Sequence, residues 1–342
     1  MNLAELREKA RENLKGYCRV CPVCNGRICA GEVPGMGGAG TGRSFVANVE
    51  ALADRRFNMR TIHEVKTVDT SIDLWGKKLS VPVLAAPLTG TTYNMGGKIT
   101  EGEFIDAIIS GSLMAGTVGM IGDAADPALW DSGIKAISSN RDRAIAIIKP
   151  REQKEIVSRI RDAQKAGAAA VGMDIDGAGL VTMALKDQPV SPKTVREIKE
   201  VVSSTKLPFI LKGVMTPLEA ELAVEAGAAA IVVSNHGGRV LDHTPGSADV
   251  LPGIANRVKG KLIVLADGGV RSGADVLKLL ALGADAVLVG RPLIVGAFGG
   301  GAEGVALLIN KMKDELVQAM LLTGTQDVKC VNKEILYSPF NA

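Results

Sequence analysis

From residue 81 onward, short apolar runs alternate with amphipathic segments. The runs are VPVLAAPL (81–88), LMAGTVGM (113–120), AIAIIK (144–149), AAVGMDID (169–176), PFILKGV (208–214), AAIVVSN (229–235), LIVLADGG (262–269) and AVLVGRP (286–292). Between them lie segments with helical spacing of apolar positions, such as QKEIVSRIRDAQKAGA and TPLEAELAVEAGA. The phrases AGAAA, AGAAA and LGADA recur where helix passes to strand, and glycine there suits a helix C-cap. Near-continuous apolar strands separated by helices predict parallel strands covered on both faces. Eight such units predict an α/β fold of the (β/α)8 TIM barrel class, which typically uses about 250 residues. An open doubly wound sheet is the alternative if the strand count is off by one or two. The tail GVALLINKMKDELVQAMLLTG predicts one or two closing helices. Residues 1–80 do not fit the repeat and are expected to form an N-terminal extension packed on a barrel that spans 81–342.

Composition supports a large core. Of 342 residues, 46% are hydrophobic, and mean hydropathy is +0.19. The net charge is only +3 and is spread along the chain, which offers no argument for nucleic acid. No apolar run is expected to reach the roughly 18 residues of a membrane span. The opening MNLAELREKARENLKGY is charged and helix-like, without the apolar centre of a signal peptide. A cytoplasmic location is the expectation.

In a (β/α)8 barrel the functional groups come from the C-terminal ends of the strands. The fourth run ends in Asp174 and Asp176, the fifth carries Lys212, and the sixth ends in Ser234, Asn235 and His236, with Arg239 beyond. The seventh ends in Asp267, Gly268 and Gly269 with Arg271 beyond, and the eighth in Gly290 and Arg291. Each alone has an ordinary reading as a helix cap or a solvated charge. Together they place charged groups at successive strand ends, and a lysine inside an apolar strand is rarely buried without a partner. The glycines, following helices and two arginines of the last two units predict a phosphate-bearing cofactor. His236 is a candidate general base, with an aspartate of the fourth run to orient it. Arg239 could hold a carboxylate, and Lys212 could stabilise negative charge on a cofactor ring.

The segments SNHGGRVLD, LADGGVRSGADVLKLLALGADAVLVGRP and LPFILKGV closely resemble the FMN-dependent 2-hydroxy-acid oxidase and dehydrogenase family, which includes glycolate and lactate oxidases. The resemblance is nearly gap-free from about Leu207 to Thr325 and continues more weakly back to about residue 80. It implies FMN as cofactor, a small-molecule acid substrate, an oxidoreductase that sends a hydride equivalent to flavin N5, and a homotetramer. His236 then matches the active-site base, Asp176 its aspartate, Arg239 the substrate-carboxylate arginine and Lys212 the lysine beside flavin N1 and O2. Ser234 matches a flavin or ribityl contact. Asp267, Gly268, Gly269 and Arg271 match the ribityl and phosphate segment, and Gly290 and Arg291 complete the phosphate site. Pro87, Leu88 and Thr89 match the stretch whose backbone lies against the isoalloxazine ring.

Some family positions are changed. The glutamine and tyrosine of the third strand align with Ala146 and Ile148, and the fourth-strand threonine aligns with Asp174, a position expected to lie on the cofactor. A second substrate arginine has no match in GAGLVTMALKDQ, and the N-terminal substrate tyrosine has none in VPGMGGAGTG. That glycine-rich stretch is a weak dinucleotide match, because no strand precedes it, and it reads as a flexible loop or lid. A simple 2-hydroxy acid of the lactate or glycolate kind, or a larger one, is the expected substrate. The alternatives are a flavin- and metal-binding module without turnover, and a non-oxidative flavoenzyme of isomerase type.

Four of the five cysteines fall in CRVCPVCNGRIC, at Cys18, Cys21, Cys24 and Cys29. In a reducing compartment such clustering suggests metal or redox work over disulfides. The spacing suits zinc held by four thiolates and also an iron–sulfur cluster, with Cys330 as a possible distant ligand. Free thiols without a metal are the third reading. An iron–sulfur centre would offer electrons an exit toward an acceptor protein, whereas zinc would brace the segment.

Overall fold

The eight apolar runs become eight parallel strands closed into a ring. A computed structural model of the chain describes residues 1–184 and 186–338, so the last four residues of the expected 81–342 barrel lie outside the described ones. An antiparallel hairpin, β1 (Ile72–Leu74) and β2 (Lys77–Leu79), leads into the barrel strands. These are β3 (Val83–Leu88), β4 (Gly119–Gly122), β5 (Ala144–Ile148), β6 (Ala170–Asp174), β7 (Phe209–Val214), β8 (Ala230–Val233), β9 (Ile263–Ala266) and β10 (Ala286–Val289). β10 pairs in parallel with both β9 and β3, with Val287 opposite Val83, so the sheet closes and the open-sheet alternative falls. Every residue of β5, β6, β8 and β10 is buried, as strands covered on both faces require.

Two segments depart from the pattern. Leu113 and Met114 belong to the end of helix Glu101–Met114, not to a strand. That helix stops at Ala115, the chain turns through Gly116 at φ +74°, and β4 begins only at Gly119. The tail forms one helix, Arg291–Thr323, interrupted at Gly300 and Gly301. It is long and apolar enough to cross a membrane by length and composition, contrary to the expectation of no such run, but 56% of its most apolar window is buried inside the molecule. It packs against helices Glu101–Met114 and Leu3–Asn13. A helix covered on several sides has no polar face to keep.

The N-terminal residues are built into the mouth of the barrel. The glycine-rich stretch expected to be a flexible lid is docked: Met36 is buried, and the Ala39 N–H donates to the Gly238 carbonyl at 2.8 Å. Thr41 donates to Asp242 through its N–H at 2.6 Å and its hydroxyl at 2.7 Å. Helix Arg43–Ala53 then brings Phe45 and Asn48, both buried, against the strand ends.

Candidate active site

Lys212 points from β7 into the barrel, and its Nζ lies 3.0 Å from Asp174 Oδ1 at the end of β6 and 4.0 Å from Asp267 Oδ2 beyond β9. Just past β5, Lys149 Nζ reaches Asp174 Oδ2 at 2.6 Å. Burial alone would lower the Lys212 pKa, but Asp174, Asp176 and Asp267 more than reverse it and hold the ammonium charged. Burial pushes the Asp174 carboxyl up, yet Lys149, Lys212 and His236 bring it well below the usual range. For Asp267 burial wins, and its carboxyl is raised in spite of Lys212.

His236 follows β8 in a backbone that only tight anchoring sustains. His236, Gly237 and Gly238 have φ of +58°, +63° and +78°. A non-glycine residue in that region costs about 1–3 kcal/mol. Asn235 pins the turn: its Oδ1 accepts from the Gly238 N–H at 3.1 Å and from Asn48 Nδ2 at 2.7 Å, and its Nδ2 donates to Thr244 Oγ1 at 3.0 Å. Ser234 Oγ accepts the His236 N–H at 3.0 Å. The two Asp176 oxygens lie 3.0 and 3.1 Å from His236 Nδ1. Asp176 fits there because residue 213 is glycine: a Cβ would sit 2.4 Å from Asp176 Cγ, and φ is +100°. Burial lowers the His236 pKa to about 4, outweighing the pull of Asp176. The imidazole is therefore neutral at pH 7, donates Nδ1–H to Asp176 and leaves Nε2 as an acceptor.

A cavity at the barrel mouth is lined by Pro87, Leu88 and Thr89 after β3, by Lys212, His236 and Arg239, by Asp267 through Arg271, and by Gly290 and Arg291. Arg291 stacks on the Phe45 ring with its guanidinium carbon 4.0 Å from the centroid, and Arg271 lies 5.5 Å from the same ring. Burial, helped by the neighbouring Arg271, lowers the Arg291 pKa to about 9. Burial also lowers that of Arg239. Arg291 Nη2, Arg239 Nε and Asp267 Oδ1 are buried without a hydrogen-bond partner. Of the sequence-predicted residues, Asp174, Asp176 and Ser234 do not line this cavity but stand behind it. Ser234, expected as a flavin or ribityl contact, accepts the His236 N–H.

An adjoining cavity of about 200 Å3 shares His236 and Arg239 and adds Tyr93, Lys149, Leu180, Met183 and Lys186. Sequence reasoning missed Lys149, and the Asp123–Arg151 pair that orients its segment through the Lys149 N–H at 3.0 Å from Asp123 Oδ2. The third run ends in that lysine, so its strand-end position is the available signal.

The four clustered cysteines are reduced and line one cavity of about 370 Å3 together with Arg271 and Arg291. Among the described residues, the only three or more potential metal ligands with donor atoms all within 4.8 Å of one another are Asp174, Asp176 and His236, so no three of the cysteine sulphurs lie that close together. Lys149 and Lys212 already neutralise Asp174 in that acidic trio. Burial pushes the Cys18 and Cys29 thiols up. Cys330 is exposed and lines a different cavity, which removes it as the fourth ligand's distant replacement.

The chain matches the family described as FMN-dependent dehydrogenase over residues 35–194 and 178–338. The chain belongs to this family. It is 31% identical over 332 residues to a peroxisomal (S)-2-hydroxyacid oxidase of Arabidopsis thaliana, covering 87% of this chain and 89% of that one. It is 33% identical over 328 residues to a 4-hydroxymandelate oxidase of Amycolatopsis orientalis, covering 85% and 89%. A solved mandelate oxidase with (S)-2-phenylpropionate superposes with a TM-score of 0.76 at 31% identity, covering 98% of this chain and 97% of that one. As a member of the FMN-dependent dehydrogenases, the chain is an FMN-dependent oxidoreductase of 2-hydroxy acids.

The residues present fit FMN. Lys212 pairs with Asp174, whereas among the described residues no carboxylate oxygen lies within 4.0 Å of the Arg239, Arg271 or Arg291 guanidinium, and all three line the cavity. Buried cations without partners are costly. A phosphate dianion held by Arg271 and Arg291 at the start of helix Arg291–Thr323 would supply the missing charge. The unpartnered Arg291 Nη2 is a donor ready for it.

Proposed function

We propose that the substrate is a 2-hydroxy acid whose carboxylate pairs with Arg239 and whose hydroxyl or C2 proton passes to His236 Nε2. Bound FMN would supply the acceptor for the two electrons. Asp176 holds the imidazole in the tautomer that exposes Nε2 and stabilises the imidazolium as it forms. Lys212 places a fixed positive charge where the reduced ring gains negative charge. Arg271, Arg291 and Gly290 would take the phosphate, and Pro87–Thr89 the ring face. The observation that carries this reading is a neutral, aspartate-oriented histidine sharing one cavity with a half-buried arginine whose Nε has no hydrogen-bond partner. The adjoining cavity, with Tyr93, Leu180 and Met183, favours an apolar substituent at C2 over a bare methyl group. The four-cysteine cavity belongs, in the same reading, to a metal held by thiolates.

The test is anaerobic: a panel of aliphatic and aromatic 2-hydroxy acids is added and the flavin absorbance followed. Bleaching by at least one member is expected, with the larger apolar acids ahead of glycolate. A flavin-loaded protein that no member bleaches overturns the oxidative reading. Arg239→Leu is expected to lower kcat/KM by about 10²-fold, as loss of a desolvated charge pair implies, while FMN stays bound.

The pH dependence follows from His236. Its pKa near 4 places the acid limb of kcat/KM near pH 4, with activity falling as pH drops through that value. The groups facing the imidazole are Asp176, Asp174, Lys212 and Lys149; the two lysines disfavour the imidazolium and the two aspartates favour it. Lys149→Met therefore uncovers the Asp174 charge and should move the acid limb up toward the ordinary histidine value. An unmoved limb in this variant shows that Lys149 does not tune the base.

A further inference from the structure

We infer that the substrate carries a second carboxylate, separated by an apolar chain from the one that Arg239 takes. The inference rests on the 2-hydroxy-acid reading and narrows its substrate class. The second group would lie in the adjoining cavity of about 200 Å3. His236 and Arg239 border both that cavity and the one assigned to FMN, whereas Lys149 and Lys186 border only the adjoining one. The reacting end of a substrate therefore belongs beside His236 and Arg239, and its far end beside the two lysines.

The charges of the lining are unbalanced. The carboxylate among the lining residues is Asp123. Its side chain is fully buried and already held by Arg151 at 2.8 Å and Arg159 at 3.2 Å. Lys149 shares its partner: its ammonium and that of Lys212 lie 2.6 and 3.0 Å from the same Asp174, so one negative charge serves two positive ones. An ammonium has three N–H donors, and Lys149 gives one, to Asp174 Oδ2. Its side chain is only 9% exposed, so water does little to satisfy the rest. Lys186 is exposed and stands with its Nζ 5.6 Å from the centre of the Tyr93 ring. Among the described residues no carboxylate oxygen lies within 4.0 Å of that ammonium. The carboxylate of a 2-hydroxy acid goes to Arg239, and glycolate or lactate has no second anion to offer the lysines. Leu180 and Met183, in the same wall, suit methylenes between the two acid groups.

The experiment compares two acids of equal length, 2-hydroxyhexanoate and 2-hydroxyadipate, on the FMN-loaded full chain. Anaerobic flavin reduction gives kcat/KM for each. The diacid should be favoured about tenfold, the lower end for a hydrogen bond between charged groups. Lys186→Met should cut that ratio about fivefold, the upper end for an exposed ion pair, and Lys186→Glu should invert it. The products, 2-oxohexanoate and 2-oxoadipate, are titrated against the absorbance of the oxidised flavin, which reads Kd without turnover; the same order is expected. Equal kcat/KM and equal Kd for the members of each pair overturn the second carboxylate. A preference for the diacid that both Lys186 variants retain overturns the place assigned to it. A flavin that neither hydroxy acid bleaches, while 2-oxoadipate still binds about tenfold tighter than 2-oxohexanoate, overturns the oxidative reading alone and supports the second carboxylate.

Discussion

Replacing His236 with alanine should abolish substrate-driven flavin bleaching, with kcat falling by about 10²–10⁴-fold, the range for loss of a positioned general base. FMN should stay bound, because the residues proposed to hold its phosphate and ring face are others. Three features make the effect large. Asp176 sits 3.0 Å from Nδ1, so the imidazole is held in one tautomer. Burial keeps it neutral, and therefore competent as a base, across the physiological range. The left-handed backbone at His236 is anchored by Asn235 and Ser234, so the ring is pre-positioned rather than searching for its geometry. His236→Gln tests position separately from basicity: it preserves a polar group but cannot take the proton, and it should be nearly as slow as alanine. Stopped-flow reduction under anaerobic conditions reads this step directly. Alanine and glutamine variants that reduce the flavin at the wild-type rate would remove His236 from the mechanism.

Arg151→Met should cost about 3 kcal/mol of stability, the lower part of the range for breaking a buried ion pair. The Arg151 side chain is fully buried. It makes two bonds to Asp123, at 2.8 and 3.0 Å, and further bonds to the Ala124 carbonyl and Gln188 Oε1, both at 2.6 Å. Removing the guanidinium leaves Asp123 with Arg159, 3.2 Å away, which is why the loss falls at the low end. Urea unfolding should show a lower midpoint at unchanged slope. Replacing Asp123 as well should recover part of the loss, since the uncompensated carboxylate goes with it. A midpoint within experimental error of wild type would show that Arg159 alone satisfies Asp123. The variant should also slow catalysis, because Asp123 holds the Lys149 backbone whose side chain neutralises Asp174.

Much of the site is legible in the amino-acid sequence. His236, Arg239, Arg271 and Arg291 follow apolar runs and Lys212 lies inside one, and a parallel barrel delivers every strand end to the same face. Lys149 escapes a reading of the sequence although it ends the third run, because the family resemblance points instead to Ala146 and Ile148. Both of those side chains are buried in β5, whereas the next residue reaches Asp174. The exchange is paired: an aspartate on β6 requires a nearby cation, and Lys149 provides it. Tyr93 and Lys186 escape it too, since neither lies at a strand end. The composition of the glycine-rich stretch permits many conformations and so suggests a mobile lid. Its glycines serve close packing instead; Ala39, within that stretch, docks on Gly238, where a Cβ would lie 2.4 Å from the Phe45 backbone nitrogen.

By itself the sequence determined the alternation of eight apolar runs with amphipathic helices, and hence a parallel barrel with its chemistry at the strand ends. These are properties of periodicity and local residue type, which act over a few residues. The resemblance already paired Asp176 with the histidine; only the tertiary structure decided that Lys149 neutralises Asp174 and that the cysteine segment reaches Arg271. Those outcomes depend on contacts between residues 25 to 247 positions apart. Closing the barrel removes water from between such groups, and the resulting desolvation makes the choice of partner decisive.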